Sequence, residues 1–203
     1  MKRLAFLAFV ACLWGCALSC TGRAEPIIYT EQFTASGTLG SKSFMDAQVT
    51  LTFTGDTANV GGGPLFFTNS LGTATVTVAG TGTATIKNGE VFDSHATLDA
   101  GFGGSGGLIV ETNDSLFGTY KLTTSIDPPE SGGAFAPLGV GTDTDQGTLT
   151  FTSFGSTGAF GATLVAPTSA PEPASLTLLG IGAVGLLGYG WRQRRRRLPA
   201  AAP

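Results

Sequence analysis

The chain has 203 residues, of which 12% are charged and 31 are glycine, and a formal net charge of −3. That total hides an uneven distribution: between residues 25 and 170, three lysines stand against thirteen carboxylates, leaving −10, while five arginines crowd the C-terminal end. So anionic a stretch argues against direct binding of nucleic acid, and against an anionic polysaccharide unless divalent cations mediate.

At the N-terminus Lys2 and Arg3 precede an apolar run from Leu4 to Leu18, and small residues lead to Gly22-Arg23-Ala24 before Glu25-Pro26. A charged start, a short apolar core and a small-residue exit make a secretory signal peptide over 1–24, with signal peptidase cutting between Ala24 and Glu25 after delivery by the export machinery. The apolar core is too short for a stable membrane anchor of about 20 residues. Cys12, Cys16 and Cys20 all fall inside this leader. One reading makes Cys20, or else Cys16, the acylated first residue of a lipoprotein; the reading adopted treats cysteine as a small apolar filler. Cleavage at Ala24 then leaves a mature chain with no disulfide and no thiolate chemistry.

Residues 25–165 read as strands. Val49-Thr-Leu-Thr-Phe-Thr54, Ala74-Thr-Val-Thr-Val78, Tyr120-Lys-Leu122 and Thr148-Leu-Thr-Phe-Thr152 alternate apolar with polar residues, a period of two that suits half-buried antiparallel strands. Further strands are expected over 27–33, 83–87, 107–111 and 158–165. Glycine runs at 61–63, 103–107 and 132–133 are expected to break them, and Lys87-Asn88-Gly89 to turn. The expected fold is all-β, an antiparallel β-sandwich ectodomain, with a barrel or solenoid as alternatives. Its core would draw on Val49, Leu51, Phe53, Val76, Val78, Ile86, Leu98, Ile109, Tyr120, Leu122, Leu149, Phe151 and Leu164, each worth roughly 1.5–3 kcal/mol on full burial. The pentapeptide Thr-Leu-Thr-Phe-Thr occurs at both 50–54 and 148–152; strand code can recur by convergence.

Little in this middle part suggests catalysis. His95 is the single histidine, in Asp93-Ser94-His95-Ala96-Thr97, and no G-x-S-x-G elbow accompanies it for a serine hydrolase. Two of the thirteen carboxylates could converge for glycoside cleavage, but no spacing selects a pair. Asp143-Thr-Asp145-Gln-Gly147 offers alternating oxygen ligands for Ca²⁺ without the Glu of an EF-hand loop, since its twelfth position is Phe154. An acidic turn is the preferred reading, so no metal or other cofactor is expected, with calcium at Asp143 and Asp145 as the weak alternative. Thr73, Thr75, Thr77, Thr81, Thr83 and Thr85 are loosely similar to the threonine ladders of ice-binding proteins; the ordinary reading is a solvated strand face.

After Ala166 the chain changes character. Prolines 167, 171 and 173 fix an extended stalk over 166–174. Ser175 to Trp191 follows without a charge, spanning about 25 Å as a helix against a hydrocarbon core of roughly 30 Å. Arg192, Arg194, Arg195, Arg196 and Arg197 then stop transfer and hold 192–203 in the cytoplasm. Pro-Glu-Pro, glycine-leucine helix and arginines in that order resemble a PEP-CTERM sorting signal. The resemblance implies an exported bacterial protein, often from an exopolysaccharide producer, whose tail is processed by exosortase, a membrane-embedded enzyme of transpeptidase type. It also implies that Pro171, Glu172 and Pro173 are recognition residues and that this chain is substrate rather than enzyme.

The expected protein is a non-enzymatic, structural or adhesive ectodomain. It would pass through a single-pass inner-membrane intermediate to the envelope or the extracellular matrix. The alternatives are a carbohydrate-binding module for exopolysaccharide and, third, a secreted hydrolase.

Overall fold

In the computed structural model, which describes residues 24–166, the alternation of apolar residues with threonine becomes strand after strand. These are β1 (Pro26–Leu39), β2 (Lys42–Asp56), β3 (Val60–Gly63), β4 (Phe66–Asn69), β5 (Thr73–Val78) and β6 (Gly82–Ile86), then β7 (Glu90–Ser94), β8 (Asp99–Gly104), β9 (Gly107–Asn113), β10 (Ile126–Phe135), β11 (Gly141–Thr144) and β12 (Gly147–Leu164). Among the described residues the helical pieces are two 3-10 turns, Thr57–Asn59 and Ser115–Gly118. Asp56 and Asp114 cap them, each carboxylate accepting from the N–H two residues on. The chain is all-β, and its strand pairings are antiparallel.

All twelve strands belong to one sheet, in the order β1-β2-β5-β6-β11-β12-β10-β9-β8-β7-β4-β3, and β1 also pairs with β12. That extra pairing closes β1, β2, β5, β6, β11 and β12 into a ring. The long β12 serves two partners, β11 along its start and β10 along its end, so the remaining strands leave the ring as a second leaf. The leaf folds back over the ring. Phe160 of β12 meets Phe102 of β8 and Phe117, with ring centroids 6.3 and 5.6 Å apart. At one corner the leaves approach so closely that a Cβ on Gly104 would lie 3.3 Å from Ile86 Cγ2 and 2.9 Å from Thr142 Cγ2. One apolar cluster drawn from both leaves fills the space between, with Tyr29, Phe53, Phe102, Phe117 and Phe160 at 0% exposure. The sandwich is thus made by rolling one continuous sheet.

The ring closes through a turn more than through a ladder. β6 and β11 share the single residue pair Ile86 with Thr144. The turn Asp145-Gln146 supplies the rest. Asp145 N donates to Thr85 O at 3.0 Å, Thr85 N donates to Asp145 Oδ1 at 2.8 Å, and Gln146 Nε2 donates to Thr83 O at 2.5 Å.

The repeated pentapeptides lie on the two strands that flank β1, at opposite ends of it: Gln32 pairs with Thr50 and Leu39 with Leu149. Three expectations are corrected. Residues 120–122 form no strand; Tyr120 and Leu122 are buried, but Leu122 has φ +59° and its carbonyl accepts from Tyr29 Oη at 2.5 Å. Alternation over three residues does not distinguish a strand from a loop dipping into the core. Glycines 61–63 and 132–133 lie within β3 and β10 instead of breaking the sheet. At Gly132 a side chain is forbidden, because its Cβ would sit 2.0 Å from Asn113 O. Leu98 belongs to the β7–β8 turn, at φ +61° and 38% exposed, whereas Leu164, half-buried at the end of β12, packs against the core as expected.

Candidate functional site

Four places carry polar chemistry within residues 24–166. The first lies between the leaves. Asp93 is buried on β7 and His95 follows in the turn after it, with His95 Nε2 3.0 Å from Asp93 Oδ2 and against the carbonyl oxygen of Tyr120. Phe67 covers the imidazole with ring centroids 5.1 Å apart. Burial pushes the Asp93 carboxyl up to about 7, with His95 holding it lower than burial alone would. Asp93 Oδ1 has no partner among the described residues. Ser94 accepts from Thr97 Oγ1 at 2.7 Å. A hydrolase would need a nucleophile within reach of the imidazole and an open approach to it; here aromatic and backbone atoms enclose the ring.

The second place is Glu31, fully buried on β1 between Tyr29 and Phe33. Thr112 Oγ1, reaching across from β9, donates to its Oε1 at 2.8 Å, while Oε2 has no partner among the described residues. Desolvation raises this carboxyl to about 8, the Thr112 bond opposing and the Glu111 charge adding to the rise. Gly158 makes room for the arrangement, since a Cβ there would come within 2.4 Å of Thr112 Oγ1. The parity of Ile27, Tyr29, Glu31 and Phe33 marked Glu31 as inward, a signal legible in the sequence and not used.

The third place is an open groove of about 430 Å³ on the outer face of β1, β2, β10 and β12. Gln32, Gln48, Ser131 and Thr157 form its walls, with Gly158 and Ala159 along its floor. Gln48 Nε2 donates to Gln32 Oε1 at 3.3 Å. It arises from a bulge: β12 passes from Phe154, opposite Ala35, to Gly158, opposite Phe33, so Gly155 to Thr157 stand against Thr34 alone. Nothing in the local sequence announces such a bulge beyond the small residues Gly155-Ser156-Thr157-Gly158.

The fourth is the Asp143–Asp145 turn. Asp145 spends one carboxylate oxygen on Thr85 N, and the backbone carbonyl of Asp143 accepts from Lys87 N at 2.9 Å. No group of three or more His, Cys, Asp or Glu that could hold a metal occurs among the described residues. Beyond its own strands, the hydrogen bonds of this turn go to Thr83, Thr85, Lys87 and Ser105. Beside it the threonines align in register: Thr30, Thr52, Thr75 and Thr85 pair in one row across β1, β2, β5 and β6, and Thr50, Thr77 and Thr83 in the next. Thr77 and Thr83 share a hydrogen bond of 2.9 Å. Thr73 pairs with Thr54, and Thr81 lies in the β5–β6 turn. Because these strands curl into a ring, the rows follow a curved wall, not the flat lattice that matching an ice face requires.

Ala24 is exposed, and Glu25 is already tied to Thr57, its N–H donating to Thr57 Oγ1 at 3.1 Å and its carbonyl accepting from Thr57 N at 3.0 Å. The leader with its three cysteines, the stalk beyond Ala166, Pro171-Glu172-Pro173, the apolar segment 175–191 and the five arginines lie outside the described residues. No helix among the described residues is long and apolar enough to cross a membrane. Residues 169–196 match the family model of the PEP-CTERM protein-sorting motif. The chain carries a PEP-CTERM motif. The match covers that segment alone, and no curated protein or solved structure matches the chain. The PEP-CTERM motif marks an exported substrate of exosortase, anchored in the membrane by its C-terminus and then processed.

Proposed function

We propose that residues 25–165 form a non-enzymatic ectodomain with a structural or adhesive role, delivered by C-terminal sorting to the envelope or extracellular matrix. The observation that carries this reading is the threonine wall of β1, β2, β5 and β6, a neutral hydrogen-bonding surface beside a turn that latches the ring. On this reading signal peptidase cuts after Ala24, and exosortase recognises Pro171, Glu172 and Pro173. Segment 175–191 spans the inner membrane, with Arg192, Arg194, Arg195, Arg196 and Arg197 on the cytoplasmic side. No calcium or other cofactor takes part. The test is the mass of the mature protein from a host with and without active exosortase. Loss of everything beyond Pro171–Pro173 only in the active host supports the assignment; an intact tail in both makes the chain a permanent single-pass protein.

The groove favours a second reading, a carbohydrate-binding module for exopolysaccharide. The two amides of Gln32 and Gln48 and the three hydroxyls of Thr34, Ser131 and Thr157 suit a neutral polyol, each offering donors and acceptors. Retention of full-length protein on a neutral glycan, lost in Gln32→Ala with Gln48→Ala, would establish it. Equal retention of both proteins would remove it.

A further inference from the structure

The rolled sheet leaves one end open. β1 stands first in the strand order and is closed onto β12, whereas β3 stands last and pairs with β4 alone among the described residues. Gly61, Gly62 and Gly63 are exposed and bear no side chain. A strand at a sheet edge presents unpaired N–H and C=O groups, and proteins commonly guard such edges with lysine, proline, a bulge or a covering loop. β3 carries no lysine or proline and pairs with β4 without a register shift; it is four residues long with Gly62 at φ +125°, and Pro64 lies beyond it, in the turn to β4. Beside the edge stand Leu65 at 62% exposure, Phe66 at 47% and Leu71 at 66%. Phe66 is stacked on Phe92 with centroids 5.9 Å apart, which presents it as a fixed apolar surface.

Charge indicates what meets this edge. No Asp, Glu, Lys, Arg or His occurs from Thr57 to Ile86, in a domain whose three lysines face thirteen carboxylates. A cationic partner finds no carboxylate to recognise on this stretch, and a glycan finds no polar side chain on the three glycines. A second copy supplies what the edge lacks, matching backbone groups and an equal apolar flank. This stretch also lets two bodies of −10 touch without opposing their carboxylates. We propose that β3 is a self-association edge. The β3 strands of two copies pair antiparallel about a two-fold axis, and Leu65 and Phe66 of both copies cover the seam. Such a contact is isologous, each copy offering the same patch, and adds a strand to each sheet. The inference rests on the open edge and its charge, so it holds whatever the ectodomain binds.

Gly61 and Gly63 are suitable test sites, because a Cβ at either meets nothing within 4 Å. Full-length protein in detergent is examined by size exclusion with light scattering, as wild type and as Gly61→Lys with Gly63→Lys. The expected result is a dimer for wild type and a halved mass for the double variant, with the strand signal in circular dichroism unchanged. A wild-type monomer at the highest concentration reached overturns the proposal, and so does a dimer that survives both lysines. As a second measurement, Gly61→Cys and Gly63→Cys are made singly in a chain whose leader cysteines are alanine. A disulfide-linked dimer from either variant, or from the two variants mixed, as expected where Gly61 of one copy faces Gly63 of the other, supports the seam; a non-covalent dimer with no disulfide from either variant or from the mixture places the contact elsewhere and overturns it.

Discussion

Both leaves bury apolar residues, Val49, Leu51, Phe53, Val76, Val78, Leu149 and Phe151 in the ring and Val91, Phe102, Val110 and Phe117 in the second leaf, but the leaf adds Asn69, Asp93, Asp99 and Thr112 to the buried set where the ring adds Glu31, Thr142 and Thr144. The ring's buried carboxylate, Glu31, is met across the core by Thr112 of that leaf. The apolar positions of both leaves draw their stability from area removed from water, which does not depend on pH. The buried carboxylates, Glu31 of the ring and Asp93 of the leaf, contribute according to whether their protons are bound. One core therefore holds two kinds of contact, apolar and titratable, and the substitutions below act on one kind or the other.

The largest effect is expected at Phe160, where the two leaves meet. Its ring contacts Tyr29, Phe102, Phe117 and Tyr120, with centroids between 5.6 and 6.4 Å. Phe160→Ala leaves a cavity shared by both leaves and should cost about 3–5 kcal/mol. Urea unfolding measures it. A loss of less than about 1 kcal/mol would mean the leaves do not share this core.

Next comes pH. Glu31 is raised from 4.5 to about 8 and Asp93 from 3.8 to about 7, both chiefly by burial. Above pH 4.5 the unfolded chain has released the Glu31 proton, while the folded chain keeps it until about 8. Stability contributed by that proton is fully present at acid pH and is lost as pH rises, by at most about 1.4 kcal/mol per unit per group. The Asp93 share is lost in the same direction and ends near pH 7. The thermal midpoint should therefore fall from pH 5 to 8, and Glu31→Gln should abolish the fall between 7 and 8. A midpoint that rises over this range would contradict the protonated core. In the same box, Gly158→Ala would drive a methyl into Thr112 Oγ1 and break its bond to Glu31. It should cost about 1–3 kcal/mol in the same unfolding experiment.

The same division explains what the sequence disclosed. Thr50-Leu-Thr-Phe-Thr54 and Thr148-Leu-Thr-Phe-Thr152 declare both strand and facing, because each is apolar inward and wet outward. The second leaf gives no such pattern. β7 reads Glu-Val-Phe-Asp-Ser, with Val91, Phe92 and Asp93 all buried, and β8 reads Asp-Ala-Gly-Phe-Gly-Gly, buried along most of its length. Strands covered on both faces lose the period of two. The glycines of β3 and β10 resemble loops in composition, yet they sit where a neighbour's backbone or an open edge makes a side chain unnecessary. The PEP-CTERM motif was legible for a different reason, since its parts are contiguous in the chain. The groove was not, because Gln32 and Gln48 meet Ser131 and Thr157 only through strand pairing and the β12 bulge.

The smallest effect sharpens the comparison most, because it falls where the ring has least ladder. With one residue pair joining β6 to β11, Asp145 does part of the work of a strand. Its carboxylate takes the Thr85 N–H that a continuing ladder would have taken. Asp145→Ala should cost about 1 kcal/mol, the net worth of a partly exposed hydrogen bond. Asp145→Asn, whose amide oxygen can still accept, should recover most of it. A calcium site predicts another outcome: both substitutions would abolish a calcium-dependent rise in the thermal midpoint, and chelator would lower the wild type to the level of the variants. The latch predicts that calcium and chelator leave wild type and variants unchanged, with the asparagine variant lying between wild type and alanine. Hydrogen exchange at Thr85 gives the local reading. Its amide should exchange faster in Asp145→Ala than in wild type, while that of Val76, in the apolar part of the ring, stays as protected as before.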